Sequence, residues 1–252
     1  MPLPPPVSVL ILARNEELKI AAALESVAWA GEIVVIDSNS TDRTVEIARD
    51  HGASVVQVPF RRFGELRQEG IAHTKLPWIF SLDSDERCTP EARDEILRIA
   101  ADPDSADAYL VPRRNVFLGR TILHSGWYPD YRQPQLFRRG RMTYAAEDPV
   151  HEGYRVDGRL GRMKNPICQI PYWNLSEAIQ KMDRYTTLGV GKPGGRRRTG
   201  LPAAALGAAW AFFKAYVLQL GFLDGSAGFV IALLRFENSF YKHMKAREAE
   251  GT

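Results

Sequence analysis

The sequence predicts an α/β fold, a mostly parallel sheet flanked by helices, followed by a helical C-terminal extension. Three observations carry that reading. Short apolar runs rich in branched residues alternate four times with helix-like patterns in the first 85 residues, and a strand buried on both faces of a parallel sheet reads as a continuous apolar run. Polar residues, Asn15, Asp37, Asp83 and Asp85, stand at the ends of those runs, where open α/β sheets bind their ligands. A long apolar stretch, residues 203–223, arrives only after this alternation has ended.

The elements follow in order. Val7–Ala13 is the first strand, an unbroken apolar run but for Ser8. Residues 16–29 place Ile20, Leu24 and Val27 on one stripe and stop at Gly31, the pattern of a helix closed by glycine. Glu32–Asp37 is the second strand. Ser38-Asn39-Ser40-Thr41-Asp42 is a turn ending in good capping residues, and residues 44–51 form the helix it starts, stopped by Gly52. Residues 53–58 make a third strand and residues 63–74 a third helix. The fourth strand, 78–82, runs into Asp83-Ser84-Asp85. A helix at Pro90–Ala101 and a strand at 108–112 precede an arginine-rich excursion.

Length and composition bound the possibilities. At roughly 150 residues per domain, 252 residues hold one large domain, or one domain and an appendage. A chain 45% hydrophobic and 25% charged, with a formal net charge of +3, is neither disordered, collagenous nor a coiled coil, and no nucleic acid is expected among its partners. Two cysteines, Cys88 and Cys168, cannot build a disulfide framework or a four-thiolate zinc site, which fits a reducing compartment. The N-terminal residues carry no basic segment ahead of a short apolar run, so no signal peptide is expected. No glycine-rich loop follows the first strand: Ala13-Arg14-Asn15-Glu16 matches neither phosphate-binding spacing. Dinucleotide-dependent dehydrogenases, P-loop kinases and nucleotidyltransferases are disfavoured accordingly.

The chemistry instead points to Asp83-Ser84-Asp85. Carboxylates presented by one turn are hard oxygen donors suited to Mg²⁺ or Mn²⁺, cations that keep several waters and share their remaining positions with substrate phosphates. A cation held against a diphosphate stabilises it as a leaving group.

Residues 7–17, the segment Asp37-Ser38-Asn39-Ser40-Thr41-Asp42-Arg43-Thr44, the segment Arg67-Gln68-Glu69-Gly70-Ile71-Ala72 and Leu82-Asp83-Ser84-Asp85-Glu86 together resemble the successive signatures of family 2 glycosyltransferases of the GT-A fold. Asn39 stands where glycine is usual and Gln68 where asparagine is usual; asparagine tolerates positive φ, so the turn survives. The resemblance implies a UDP-sugar donor. Arg14, Asn15 and Glu16 would line the base, Asp37 would bond the uracil and Arg67 would face the diphosphate. Asp83 would approach the ribose or sugar beside the metal, which Asp85 would hold. Pairing of Arg67 with Glu65 or Glu69 is the alternative for that residue.

Further motifs narrow the likeness. Gly126-Trp127-Tyr128-Pro129-Asp130-Tyr131, Leu136-Phe137-Arg138-Arg139-Gly140, Val150-His151-Glu152 and Gly221-Phe222-Leu223-Asp224-Gly225 are similar to those of bacterial lipopolysaccharide inner-core β-glucosyltransferases of the WaaE/KdtX kind. That implies transfer of glucose or a related hexose to a lipid-linked core saccharide at the cytoplasmic face of the inner membrane. Trp127 and Tyr128 are the aromatic groups a sugar-binding surface presents, and a core role suits them equally. An inverting transfer needs a carboxylate to take the acceptor's proton; Glu152 is the first candidate, Asp148 the second and Glu147 the third. His151 is a further metal ligand, a group orienting the pyrophosphate or a structural histidine. The resemblance divides the chain into a GT-A domain at 1–170, with its nucleotide-sugar half at 1–105 and its acceptor and base half at 106–170, and a helical extension at 171–252.

Two features remain. Arginines outnumber lysines 25 to 8, and seven lie between Arg113 and Arg141 against one acid, Asp130, as an anionic acceptor would favour. Residues 203–223 are long enough to cross a bilayer, but Lys214 sits at their middle and a central lysine costs about 2.5–3.5 kcal/mol. A monotopic helix lying on the membrane, with Trp210, Phe213, Val217 and Leu220 down one side and Arg196-Arg197-Arg198 meeting an anionic surface, is the better reading. A helical pair packed against protein is its alternative. The nearest functional rival is a polyprenyl-phosphate glycosyltransferase, whose phosphate acceptor is already ionised and needs no base. A non-catalytic sugar-nucleotide-binding or scaffold protein is the remoter one.

Overall fold

The structure is a computed structural model and describes residues 4–145, 153–188 and 200–251. The chain divides into two compact units, residues 1–113 with 130–169, and residues 114–129 with 170–252.

In chain order the elements are β1 (Val7–Ala13), α1 (Ile20–Ser26), β2 (Glu32–Asp37), α2 (Thr44–Asp50), β3 (Ser54–Gln57), α3 (Phe63–His73), β4 (Trp78–Asp83), β5 (Glu86–Arg87), α4 (Pro90–Ala101), β6 (Ala108–Leu110), β7 (Arg113–Phe117), β8 (Arg120–Ile122), β9 (Pro134–Arg138), β10 (Met142–Ala145), β11 (Gly153–Val156), β12 (Leu160–Arg162), β13 (Ile167–Gln169), α5 (Leu175–Leu188), α6 (Leu201–Phe213) and α7 (Gly225–Gly251).

The first unit is built on a seven-stranded sheet of order β12-β6-β9-β4-β1-β2-β3. β1 pairs in parallel with β2 and β4, β2 with β3, and β12 with β6. β9 is antiparallel to both β4 and β6, which makes the sheet mostly rather than wholly parallel. Every residue of β1 is buried because both faces are covered. Val7, Val9, Ile11 and Ala13 pack with Ile20, Leu24, Ala48 and Ile96 on the side of α1, α2 and α4. Leu10 and Leu12 pack with Leu66 and Ile71 of α3 on the other. Gly70 lets α3 approach closely: a Cβ there would collide with the Leu10 side chain. Cys88 lies in this core, and burial pushes its thiol up to about 12, so it stays an inert thiol at neutral pH.

The first helix is shorter than the sequence pattern implies, beginning at Ile20 rather than Glu16. The reason lies in the neighbouring loop. The backbone N–H groups of Asn15, Glu16 and Glu17 donate to Ser40 Oγ at 2.9 Å, Thr44 Oγ1 at 2.8 Å and Asp42 Oδ2 at 3.1 Å. Those bonds fasten the segment after β1 to the turn after β2; Asn15, at φ 55°, lies outside helical space, and residues 17–19 form a turn ahead of the helix.

The second unit holds α5, α6, α7 and the β7–β8 hairpin, whose Phe117 and Ile122 form a core with Ala178, Ala227 and Ile231. Residues 114–129 belong here rather than with the sheet, unlike the division at 170 that the sequence suggests. Asp224 is the anchor: its buried carboxylate accepts from the backbone N–H of Leu123 at 3.2 Å and His124 at 3.1 Å and from the Ser125 hydroxyl at 2.9 Å. The apolar run 203–223 is not one straight helix. α6 passes into a π-helical stretch, Lys214–Leu218, and the chain then turns at Leu220, in the left-handed region at φ 55°, before a 3₁₀ segment, Gly221–Asp224. Leu201–Leu218 is the one described helical stretch with the length and apolar composition to cross a membrane, and little of it is buried. Leu206, Trp210, Phe213, Val217 and Leu220 are all exposed, Leu206 to 73% and Trp210 to 58%. A further apolar stretch of the sequence, residues 229–236, lies within α7.

Candidate functional site

The residues singled out in the first unit gather at the carboxyl ends of β1, β2 and β4. At β2, Asp37 is fully buried. Its carboxylate accepts from the Ser40 backbone N–H at 3.0 Å, from the Ser40 hydroxyl and from Gln57 Nε2 at 3.2 Å, so it organises the turn that follows. Beside it, Asn15 adopts φ 55° and accepts the Thr41 N–H on its Oδ1 at 2.8 Å. Arg14 is exposed, with its guanidinium 5.8 Å from the centre of the Phe60 ring. Glu16 faces Lys19 at 3.8 Å. Arg14, Asn15, Glu16 and the Asp37 turn thus form one continuous rim.

At β4, Arg67 reaches from α3 and is only 4% exposed. It donates from Nη1 to Ser81 Oγ at 2.7 Å and from Nη2 to Asp83 Oδ1 at 2.7 Å. Its acidic partner is therefore Asp83, at the end of a strand of the sheet on which α3 packs; Glu65 faces Arg62 at 3.9 Å and Glu69 faces His73 at 3.4 Å. Burial pushes the Asp83 carboxyl up, but Arg67, Arg113 and Arg132 together outweigh it and hold the acid below the ordinary aspartate range. The sign of the pH effect follows. A carboxyl whose folded-state pKa is depressed contributes stability above its unfolded value, about 3.9, and loses it as pH falls through the folded value. The stability gap between the protein and its Asp83→Asn variant is expected to be constant from pH 5 to 8 and to close below about pH 4, as read from urea unfolding at each pH.

Asp85, partly exposed, accepts from Gln169 Nε2 on both oxygens at 3.2 and 3.3 Å. These are longer than the usual 2.9–3.0 Å. With Asp83 engaged by Arg67, Asp85 is the carboxylate of the turn best placed to meet a cation. Among the described residues no group of three or more His, Cys, Asp or Glu side chains could enclose a metal. One or two carboxylates and a diphosphate are nonetheless the donor set in which Mg²⁺ or Mn²⁺ is bound with its waters, so the residues fit such a cation.

Trp127 and Tyr128 belong to the second unit, where both are half-buried. Trp127 packs on Phe117 at 5.7 Å between ring centres, and its carbonyl accepts from Asn115 Nδ2 at 3.1 Å; that is a core contact. Glu147, Asp148, His151 and Glu152 lie outside the described residues, as do Arg196, Arg197 and Arg198.

Sequence reasoning missed a buried polar group beneath the turn. Glu86, fully buried, accepts the Asp83 N–H on Oε2 at 2.9 Å and Gln135 Nε2 at 2.8 Å, and pairs through Oε1 with Arg113 at 2.5 Å. Arg113 is the first of the seven arginines read as an acceptor-facing cluster, yet it is 1% exposed. Its neighbours are occupied too. Arg132 pairs with Asp130 at 2.7 Å, Arg141 with Asp157 at 3.1 Å, and Arg138 covers the Trp78 ring at 4.6 Å. Of the seven, Arg113 and Arg138 are taken into the structure, while Arg114, Arg120, Arg132, Arg139 and Arg141 stay exposed. An acid immediately after the Asp-x-Asp turn was the available signal for Glu86; nothing in composition distinguishes Arg113 from its neighbours.

Comparison with known proteins bears on this geometry. The lipopolysaccharide core biosynthesis glycosyltransferase LpsC of Rhizobium meliloti is 29% identical over 193 aligned positions, 73% of this chain and 70% of that one. An uncharacterized glycosyltransferase of Rickettsia typhi is 37% identical over 262 aligned positions, 96% of this chain and 87% of that one. Among solved structures, glucosyl-3-phosphoglycerate synthase of Mycobacterium tuberculosis, crystallised with Mn²⁺, UDP and glucosyl-3-phosphoglycerate, aligns at 27% identity and a TM-score of 0.39, over 43% of this chain and less than half, 44%, of that one. The sequence model of one family, glycosyl transferase family 2, matches residues 8–157, a span that opens in β1, closes just past β11 and takes in Asp37, Arg67, Asp83 and Asp85. By that match, more than half its length, the chain belongs to glycosyltransferase family 2 and carries the GT-A fold.

Proposed function

We propose that this glycosyltransferase is inverting and metal-dependent, and that it moves a hexose, glucose in the first instance, from a UDP-sugar to a lipid-linked saccharide of the lipopolysaccharide inner core. The observation that carries the reading is the Asp83-Ser84-Asp85 turn at the end of β4, with Arg67 locked to Asp83 and Asp85 turned toward partly open surface. Asp85, with His151 as a further ligand, would hold Mg²⁺ or Mn²⁺, which supplies positive charge to the departing UDP. The rim of Arg14, Asn15 and Glu16, with the turn that buried Asp37 organises, takes the nucleoside. Glu152 is the base that removes the acceptor's proton, with Asp148 next in line. The acceptor class is supported by the name of the Rhizobium meliloti relative.

Membrane location belongs to the same proposal. Leu206, Trp210 and Phe213 expose apolar surface on a helix that has little cover within its own unit. Contiguous apolar surface of that kind marks an interaction site, and an anionic cytoplasmic leaflet is the partner that a lipid-linked acceptor requires.

A panel of UDP-, GDP- and dTDP-sugars assayed for cation-dependent hydrolysis, then repeated with lipopolysaccharide core acceptors in anionic vesicles, tests the proposal. UDP-glucose is expected to turn over, and faster with acceptor. Failure with every UDP-sugar overturns the donor assignment. Glu152→Gln is expected to lose transfer to a sugar hydroxyl while still binding donor; full transfer by that variant removes Glu152 from the reaction.

A further inference from the structure

Two buried side chains hold the Asp83–Asp85 turn from below. Glu86 and Gln169 are opposite one another in register where β5 pairs antiparallel with β13, and directly opposed residues project to the same face of a sheet. That face is toward the turn. Glu86 binds the turn's main chain through the Asp83 N–H, and Gln169 binds its side chain, donating from Nε2 to both oxygens of Asp85. Arg87, beside Glu86, adds a third attachment from Nη1 to the Ser84 carbonyl at 2.8 Å. Gln169 is 4% exposed, and its Oε1 has no hydrogen-bond partner among the described residues. Leaving a buried acceptor unmet costs roughly 1–3 kcal/mol. Gln169 therefore does little for stability that an apolar residue of its size would not do. Its amide has one evident task, the orientation of Asp85.

We infer that Gln169 is a positioning residue for cation and diphosphate binding: it holds the Asp85 carboxylate from its buried side and so sets which outward lone pairs meet a divalent cation and the donor's phosphates. The inference rests on the proposed role of Asp85 as the cation's ligand. Partners that orient a ligating carboxylate in this way are typically worth 10–100-fold in metal affinity. The register explains why the sequence conceals it. Gln169 is 84 residues from Asp85, and a one-residue slip of β13 would turn it to the other face.

Calorimetric titration of UDP in the presence and absence of Mn²⁺, and of uridine, tests the inference on the full chain without any turnover. Gln169→Leu is expected to weaken Mn²⁺-dependent UDP binding about 10-fold or more and to leave uridine binding unchanged, because the Asp37 rim is untouched. Gln169→Asn, one methylene too short to reach Asp85, is expected to behave in the same way and guards against a folding effect of the leucine. Wild-type Mn²⁺–UDP affinity in both variants overturns the inference. If Asp85→Ala nonetheless loses that affinity, the parent reading of Asp85 stands alone. If Asp85→Ala also keeps it, the failure lies with the parent reading. Equal loss of uridine and UDP affinity in both Gln169 variants would make Gln169 a general structural residue and would also overturn the inference.

Discussion

Replacing Asp85 by alanine is expected to lower transfer by at least about a hundredfold, the scale on which losing one preorganised charge-stabilising interaction acts, and to remove cation-dependent UDP binding with it. The fold is expected to survive. Asp85 is partly exposed and its two bonds to Gln169 are long, and Arg87, which loses a nearby counter-charge, keeps its bonds to the Ser84, Glu86 and Lys19 carbonyls. Asp83 is a different case despite standing two residues away: its loss would strand Arg67, which is 4% exposed. Thermal melts by circular dichroism and Mn²⁺-dependent UDP titration of Asp85→Ala separate the two effects. Native-like turnover in a variant that melts normally would remove Asp85 from the chemistry.

The second large effect is on stability. Arg113→Met leaves Glu86 fully buried without its counter-charge, and breaking a buried pair by removing one partner costs about 3–5 kcal/mol. Equilibrium urea unfolding should show a loss of that size, against less than about 0.5 kcal/mol for the exposed neighbour Arg114→Met. The double variant Glu86→Gln, Arg113→Met is expected to recover much of the loss. A glutamine at 86 retains an oxygen to accept the Asp83 N–H, and no uncompensated charge remains, so the coupling between the two sites is the measurable quantity. A loss below 1 kcal/mol in Arg113→Met would mean that water reaches Glu86 and that the pair is not sealed.

The two expectations show how unevenly the sequence reveals the site. Asp37, Asp83 and Asp85 are legible because each terminates a short apolar run, and the end of a parallel strand is where such a fold binds. Arg67 is legible by motif, but its partner is not. Glu65 and Glu69 are near in sequence, whereas Asp83 becomes near only when α3 packs on the sheet through Gly70. The arginine cluster is legible only in part, for a related reason. Its composition describes a surface, and only packing shows that Arg113 is inside with Glu86 and that Arg138 lies over Trp78.

The sequence by itself determined the alternating strands and helices from β1 to β4, with α4 and β6, the strand ends at which Asp37, Asp83 and Asp85 gather, and the family to which the chain belongs. It could do so because burial on both faces dictates apolar runs and because a turn that carries carboxylates needs them close together in the chain. Tertiary structure alone decided the rest. It ties residues 15–17 to the turn after β2 and begins α1 only at Ile20, it assigns residues 114–129 to the helical unit through Asp224, and it breaks the late apolar run at Leu220. It also places Gln169 under Asp85. Each of these depends on which distant polar groups find one another on folding, a matter that local periodicity does not encode.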